Sequence, residues 1–155
     1  MRSRRTATKS VVKSGTVEGE LKSTLNESSP DLIDRLGPTI RQVYDQQPEF
    51  DEDPDTDQGG EEVELINRPA KAVAEGGQYQ GNWNKKTKQR HGYGICIWSD
   101  GSIYQGFWKN DKPNGRGRRI FVDTDVYNGT FKDGKMDGEG EYINDDGSTY
   151  KGQWK

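Results

Sequence analysis

Apolar residues are sparse along this chain, and where they occur they follow two different periods. From Gly76 onward aromatic residues alternate with glycine at strand spacing. The segments are Tyr79-Gln80-Gly81-Asn82-Trp83, Tyr104-Gln105-Gly106-Phe107-Trp108, Tyr127-Asn128-Gly129-Thr130-Phe131 and Tyr150-Lys151-Gly152-Gln153-Trp154. Side chains of a strand alternate between its faces, so each segment places two rings on one face with a glycine between them. The four tyrosines are spaced by 25, 23 and 23 residues, which makes the segments units of a tandem repeat. Each of the first three is followed by Gly-x-Gly: Gly92/Gly94, Gly115/Gly117 and Gly138/Gly140. A turn signal follows in the first and third units, Asp100-Gly101-Ser102 and Asp146-Gly147-Ser148. Glycine weakens a strand unless another group needs its space. The rings are therefore expected to lie over the glycines. Asn114-Gly115, Asp133-Gly134 and Asp137-Gly138 supply turn chemistry, and Ile95, Ile97, Ile120, Val122 and Ile143 add β-branched strand residues. The first unit carries two extra residues between Trp83 and Gly92, which predicts a longer hairpin tip over Lys85–Gln89.

The second period is helical. Leu32, Leu36, Ile40 and Val43 fall at spacings of 4, 4 and 3, one face of a helix. Ser29 fits the N-cap, Pro30 the first helical position and Asp31 the first turn. Gly37-Pro38 interrupts the stripe, so residues 29–47 are predicted as a short amphipathic helix, kinked or split in two. Such a helix is not stable alone. It is either a docking segment that orders on a partner or a weak helix with no role. Residues 1–28 show no period and read as a disordered basic and polar tail. Residues 48–75 read as an acidic linker, with eight acids among the fourteen residues 49–62 and an alternating Val63-Glu64-Leu65 able to form a short strand. Calcium binding by the acids would need the regular ligand positions and closing Glu of an EF-hand loop, and these are missing.

Composition sharpens this division. Only 28% of residues are hydrophobic against 32% charged, with 20 glycines and a mean hydropathy of -1.17. That is too little for an ordinary two-layer core throughout the chain. Thirteen of the fifteen aromatics lie in residues 76–155, so the array 76–155 carries nearly all the packing. This zone has 13 basic and 10 acidic residues, against 10 and 16 in residues 1–75. So mild a positive balance does not fit a nucleic-acid partner. The single Cys96 excludes an internal disulfide and suits a reducing, cytoplasmic setting. No apolar run reaches the length of a membrane span or a secretory h-region. The first 17 residues are basic and free of acids (Arg2, Arg4, Arg5, Lys9, Lys13), similar in composition to a mitochondrial presequence. Only Val11 and Val12 could build its apolar face, so a solvated tail is favoured and a mitochondrial location is the alternative.

Catalytic chemistry finds no foothold. His91 is the only histidine and stands where Asn114 and Asp137 stand in the other units, as a repeat position. One Cys and one His cannot form a zinc set, and nothing marks a serine partner for a triad. The carboxylate pairs Asp123/Asp125 and Asp145-Asp146 fall at solvated turns. No Gly-x-Gly follows a strand and opens a helix, as a phosphate loop would. The expectation is a non-enzyme with no metal, no cofactor and no small-molecule substrate.

The pattern Tyr-x-Gly-x-(Trp/Phe)-x6-Gly-x-Gly-x5-Asp-Gly-Ser resembles the MORN repeat (membrane occupation and recognition nexus). The resemblance covers Tyr79 to Gly101, Tyr104 to Thr124 and Tyr127 to Gly147, with an incomplete unit from Tyr150. The first unit departs by its insertion and the second by Thr124 where the turn glycine belongs, while Glu75-Gly76-Gly77 mimics the turn that precedes a unit. The resemblance implies a mainly β fold, an elongated single-layer antiparallel sheet of stacked hairpins, in a small protein without an attached enzymatic domain. It also implies a scaffold in a larger assembly, cytoskeletal or ciliary and axonemal. The expected partner surface is the aromatic face, Tyr79, Trp83, Tyr104, Trp108, Tyr127, Phe131, Tyr150 and Trp154, receiving a helix or extended peptide. Leu32, Leu36, Ile40 and Val43 form a second contact point, and the sequence stopping mid-repeat leaves a sheet edge able to pair with another chain. The alternative is a peripheral adaptor for anionic lipid through Lys85, Lys86, Lys88 and Arg90, with Arg116, Arg118 and Arg119 as a second basic group. Each would contribute about 1 kcal/mol near an acidic membrane surface.

Overall fold

The repeat becomes eight antiparallel strands paired in sequence order: β1 (Leu65–Ala72), β2 (Gln78–Asn84), β3 (Arg90–Ile97), β4 (Ile103–Lys109), β5 (Lys112–Ile120), β6 (Val126–Lys132), β7 (Lys135–Ile143) and β8 (Thr149–Trp154). These come from a computed structural model that describes residues 31–52 and 62–155. The basic N-terminal tail, the Ser29-Pro30 helix start and residues 53–61 of the acidic run lie outside the described residues.

Each unit is a hairpin of one design. Glycine pairs with glycine across it, Gly81↔Gly94, Gly106↔Gly117 and Gly129↔Gly140. A bulge then shifts the register before Trp83↔Arg90, Trp108↔Pro113 and Phe131↔Met136. At that step the unit's tyrosine hydroxyl donates to a carbonyl of its own strand. Tyr79 reaches the Asn82 oxygen at 2.7 Å, Tyr104 that of Phe107 at 2.8 Å and Tyr127 that of Thr130 at 3.1 Å. A buried phenol needs such a partner. The ring reaches it by lying over the second glycine of Gly-x-Gly: a Cβ placed on Gly117 would overlap the Tyr104 hydroxyl and ring.

The hairpins close with two-residue turns at Asn110-Asp111 and Asp133-Gly134, all at positive φ. The first unit closes through its longer tip. Successive hairpins are joined by one recurring turn, over residues 73–77, 98–102, 121–125 and 144–148. In each, the first amide donates to the last carbonyl and the fourth amide to the first carbonyl. The fourth residue has φ of 96° at Gly76, 95° at Gly101 and 90° at Gly147, but 73° at Thr124. A β-branched residue is strained there. Thr124→Gly is expected to raise the free energy of unfolding by about 1 kcal/mol, because relief of left-handed strain outweighs the added freedom of the unfolded chain. Urea denaturation checks it, and a loss of stability would contradict the strain.

β1 exceeds the short strand expected at 63–65. It lacks the aromatic-glycine signature and contains Pro69, tolerable because, among the described residues, β1 pairs only with β2. The pairing slips between Arg68 and Lys71, around that proline.

Strand alternation gives the sheet two different faces. One carries Tyr79, Trp83, Cys96, Tyr104, Trp108, Tyr127 and Phe131 as a buried cluster. The other carries Ile103, Ile120 and Val126, with Ile95, Ile97 and Ile143 beside them, and is covered in part by the helical segment. The expected break at Gly37-Pro38 divides that segment into a 3₁₀ turn, Leu32–Arg35, and α1, Pro38–Gln46, with Pro38 in its first turn. Ile40 is buried among the isoleucines, and Ile33, Leu36, Val43 and Tyr44 pack against the same cluster. Leu32 is buried as well, and its amide donates to Gln80 Oε1 at 2.7 Å. The helix thus docks on this chain's own sheet, and the single layer gains a partial second one.

Candidate interaction faces

On the aromatic face the eight expected partner residues form a continuous ladder: Trp83–Tyr79–Trp108–Tyr104–Phe131–Tyr127–Trp154–Tyr150. Adjacent rings meet edge to face at centroid distances from 4.9 to 5.2 Å. Each such pair is worth about 0.5–1.5 kcal/mol beyond the area it buries. Tyr79, Tyr104 and Tyr127 are fully buried, and Trp83, Trp108 and Phe131 nearly so. These six rings are committed to the fold, because in a chain poor in aliphatic residues they form the larger part of the core. Of the eight, Tyr150 is exposed and Trp154 half-buried.

Arg90 packs against this ladder. It occupies the register position that Pro113 and Met136 hold in the later units. Its side chain is 5% exposed, and its guanidinium lies 4.7 Å from the Trp108 ring centre and 5.8 Å from that of Tyr79. Glu75 at 2.8 Å and Asp111 at 2.7 Å neutralise it. Arg90 therefore leaves the basic hairpin tip expected to meet lipid, since burial and two carboxylates take up its charge. Lys85 pairs with Glu64 at 2.8 Å, which leaves Lys86 and Lys88 exposed on that tip without such an ion pair among the described residues. Nor do Arg116, Arg118 and Arg119 form one basic group. Alternation sends Arg119 to the aromatic face, 4.4 Å over Trp98, and the other two to the helix face.

The helix face carries a feature the sequence did not announce. After α1 the chain turns back over the sheet instead of leaving as a solvated linker. Phe50 lies against Tyr93 (5.9 Å between ring centres) and Phe107 (6.3 Å), with Arg118 at 5.7 Å and Arg116 at 6.0 Å. Arg118 Nη2 donates to the Pro48 carbonyl at 2.8 Å, Arg116 Nη1 to that of Asp51 at 2.9 Å, and Asn128 Nδ2 to Gln47 Oε1 at 3.3 Å. Burial lowers the pKa of the Arg118 guanidinium and raises that of the Tyr93 hydroxyl. The one available signal was Phe50 itself, with Tyr44 one of only two aromatics outside the array. Beyond α1 the same face opens into a shallow groove of about 480 Å³, lined by Asn128, Gly129, Glu139, Gly140, Glu141, Lys151, Gly152 and Gln153.

The remaining polar candidates serve the fold. His91 Nδ1 accepts from the Asn110 amide at 3.2 Å, as Asn114 Oδ1 accepts from Asp133 at 3.0 Å one unit later. Burial, then Lys109, holds the His91 pKa below its ordinary value. Cys96 is buried and its thiol is pushed up to about 12, which keeps it protonated. Among the described residues no group of three or more His, Cys, Asp or Glu could hold a metal ion, and no helix is long and apolar enough to cross a membrane.

No match is found among curated proteins. The repeat units do match a family: residues 79–103, 104–126 and 127–149 each fit the MORN repeat. The three matches tile β2 to β7 hairpin by hairpin, and on that ground residues 79–149 are an array of MORN repeats.

Proposed function

We propose that this protein is a non-catalytic scaffold that holds partner polypeptides on the helix face of its sheet, within a larger assembly of cytoskeletal or ciliary type. The observation that carries this reading is the division of that face. Residues 32–51 cover the middle strands, and the groove over β6 to β8 continues the same surface uncovered by them. The Tyr127 and Tyr150 rings fill the space beside Gly129, Gly140 and Gly152 on the aromatic face, so on the helix face the groove is walled by the side chains of Asn128, Glu139, Glu141, Lys151 and Gln153. Glu139, Glu141 and Lys151 supply charges of both signs with which to orient a partner chain. The ladder rings, by contrast, are occupied with one another. The type of assembly rests on the MORN repeats alone.

The test uses the full-length protein expressed in its source cells. The double substitution Glu139→Lys/Glu141→Lys should release co-purifying partners, while the purified protein keeps its unfolding free energy within about 0.5 kcal/mol, as surface changes usually do. Cross-linking mass spectrometry of the wild type should place partner cross-links at Lys151. A complex that survives the double substitution would overturn this use of the groove.

A further inference from the structure

We propose that Tyr93, Phe107, Arg116 and Arg118 form a receptor for an aromatic residue carried in an acidic segment, filled by this chain's own Phe50 and open by exchange to a partner segment of the same chemistry. The site lies beneath the covered part of the face and does not depend on the groove above.

The repeat itself shows that the box is additional to the fold. Phe107 stands three residues after its unit's tyrosine, where the other units carry Asn82, Thr130 and Gln153. Arg116 and Arg118 correspond through the strand register to Glu139 and Glu141 in the next unit. The ladder is built identically in units that lack this box, so its aromatic and two cations answer to something other than the sheet.

The chemistry of the box defines its ligand. Arg118 is 5% exposed and donates to neutral oxygens only: Asn128 Oδ1 at 2.8 Å, Gln105 Oε1 at 3.3 Å and the Pro48 carbonyl. Among the described residues no carboxylate forms an ion pair with it. A desolvated cation beside an aromatic wall favours an aromatic ring and negative charge together. The cis segment has this composition, with Glu49, Asp51, Glu52 and Asp53 around Phe50, and the Asp51 carboxylate lies 4.0 Å from Arg116. Its other polar contacts here are the Pro48 and Asp51 main-chain carbonyls, which any peptide can offer, and the side chains of Gln47 on Asn128 and of Glu52 on Tyr93. Recognition therefore falls on one ring and the surrounding charge, and a partner segment with both can compete.

A fluorescein-labelled peptide of residues 47–53 (Gln-Pro-Glu-Phe-Asp-Glu-Asp) serves as the probe, titrated by anisotropy with the purified full-length chain. Phe50 in cis acts at an effective concentration in the millimolar range, so wild type should bind weakly. Phe50→Ala frees the box and should bind the probe at least about ten-fold more tightly. Replacing Phe with Ala in the probe, or adding Arg116→Ala to the Phe50→Ala protein, should reverse that gain. The proposal is overturned if Phe50→Ala binds no more tightly than wild type, or if the Ala probe binds as well as the Phe probe. Phe50 lies outside the aromatic ladder, so the sheet remains to be tested in the variant. The readout needs no native partner, and its failure would leave the groove reading untouched.

Discussion

Tyr104→Ala is expected to lower the free energy of unfolding by about 4 kcal/mol, within the range for deleting a fully buried aromatic side chain. The ring is completely buried and stands mid-ladder, 5.2 Å from Trp108 and 4.9 Å from Phe131. Its removal breaks two edge-to-face contacts, and the adjoining backbone is glycine, with no side chain to move into the hole. The Phe107 carbonyl also loses its hydroxyl donor. Tyr150→Ala removes the same repeat position where the ring is 57% exposed and its one neighbour in the ladder is Trp154. That change should cost less than about 1 kcal/mol. Tyr104→Phe isolates the hydroxyl and should cost about 1–2 kcal/mol, since it leaves a buried carbonyl with one donor fewer. Urea denaturation followed by tryptophan fluorescence reads all three. Equal losses at Tyr104 and Tyr150 would contradict a ladder whose energy lies in its enclosed rungs.

Arg90 gives the second large effect, and it depends on the replacement. Arg90→Ala should cost about 3 kcal/mol, the low end for breaking a buried ion pair, because Glu75 and Asp111 are 42% and 45% exposed and stay partly hydrated. Arg90→Met should cost less than about 1 kcal/mol, since a buried ion pair is often replaceable by an apolar residue of similar volume. The protein already uses that solution at Met136, the equivalent position opposite Phe131. The two variants separate loss of packing from loss of charge.

The same cluster sets an acid limit. Burial works against both carboxylates, but their hydrogen bonds with Arg90 outweigh it and hold Glu75 and Asp111 below their ordinary values of 4.5 and 3.8. A carboxylate held lower in the folded state contributes stability that is fully present above its unfolded value. That contribution is lost as pH falls through the folded value. Wild type should therefore lose stability relative to Arg90→Met as pH drops below about 4.5, with the difference between them constant from there to neutrality. Parallel curves down to pH 2 would show that the pairs contribute nothing to folding.

The strands β2 to β8, their hairpin order, the long tip over Lys85–Gln89 and the odd turn at Thr124 were all legible in the sequence. Each is a short-range signal: period-two alternation, glycine where a ring needs room, and turn residues at fixed offsets. The split at Gly37-Pro38 was legible for the same reason, because proline acts on its own backbone. Where the faces point was not. Eight ladder aromatics look alike in sequence whether they enclose one another or await a partner, and packing across strands buried six of them. Arg90 read as part of a basic tip until pairing with Trp83 placed it beneath two rings. The helical stripe announced an apolar face but not what covers it. The answer lay 48 residues away for Leu32 and Gln80, and 70 for Pro48 and Arg118. By itself the sequence determined the repeat and its hairpins, because those interactions close within one unit. Only the tertiary structure decided that residues 32–51 dock on their own sheet and that Phe50 fills an aromatic and cationic box, because contacts across such separations leave no period in the chain.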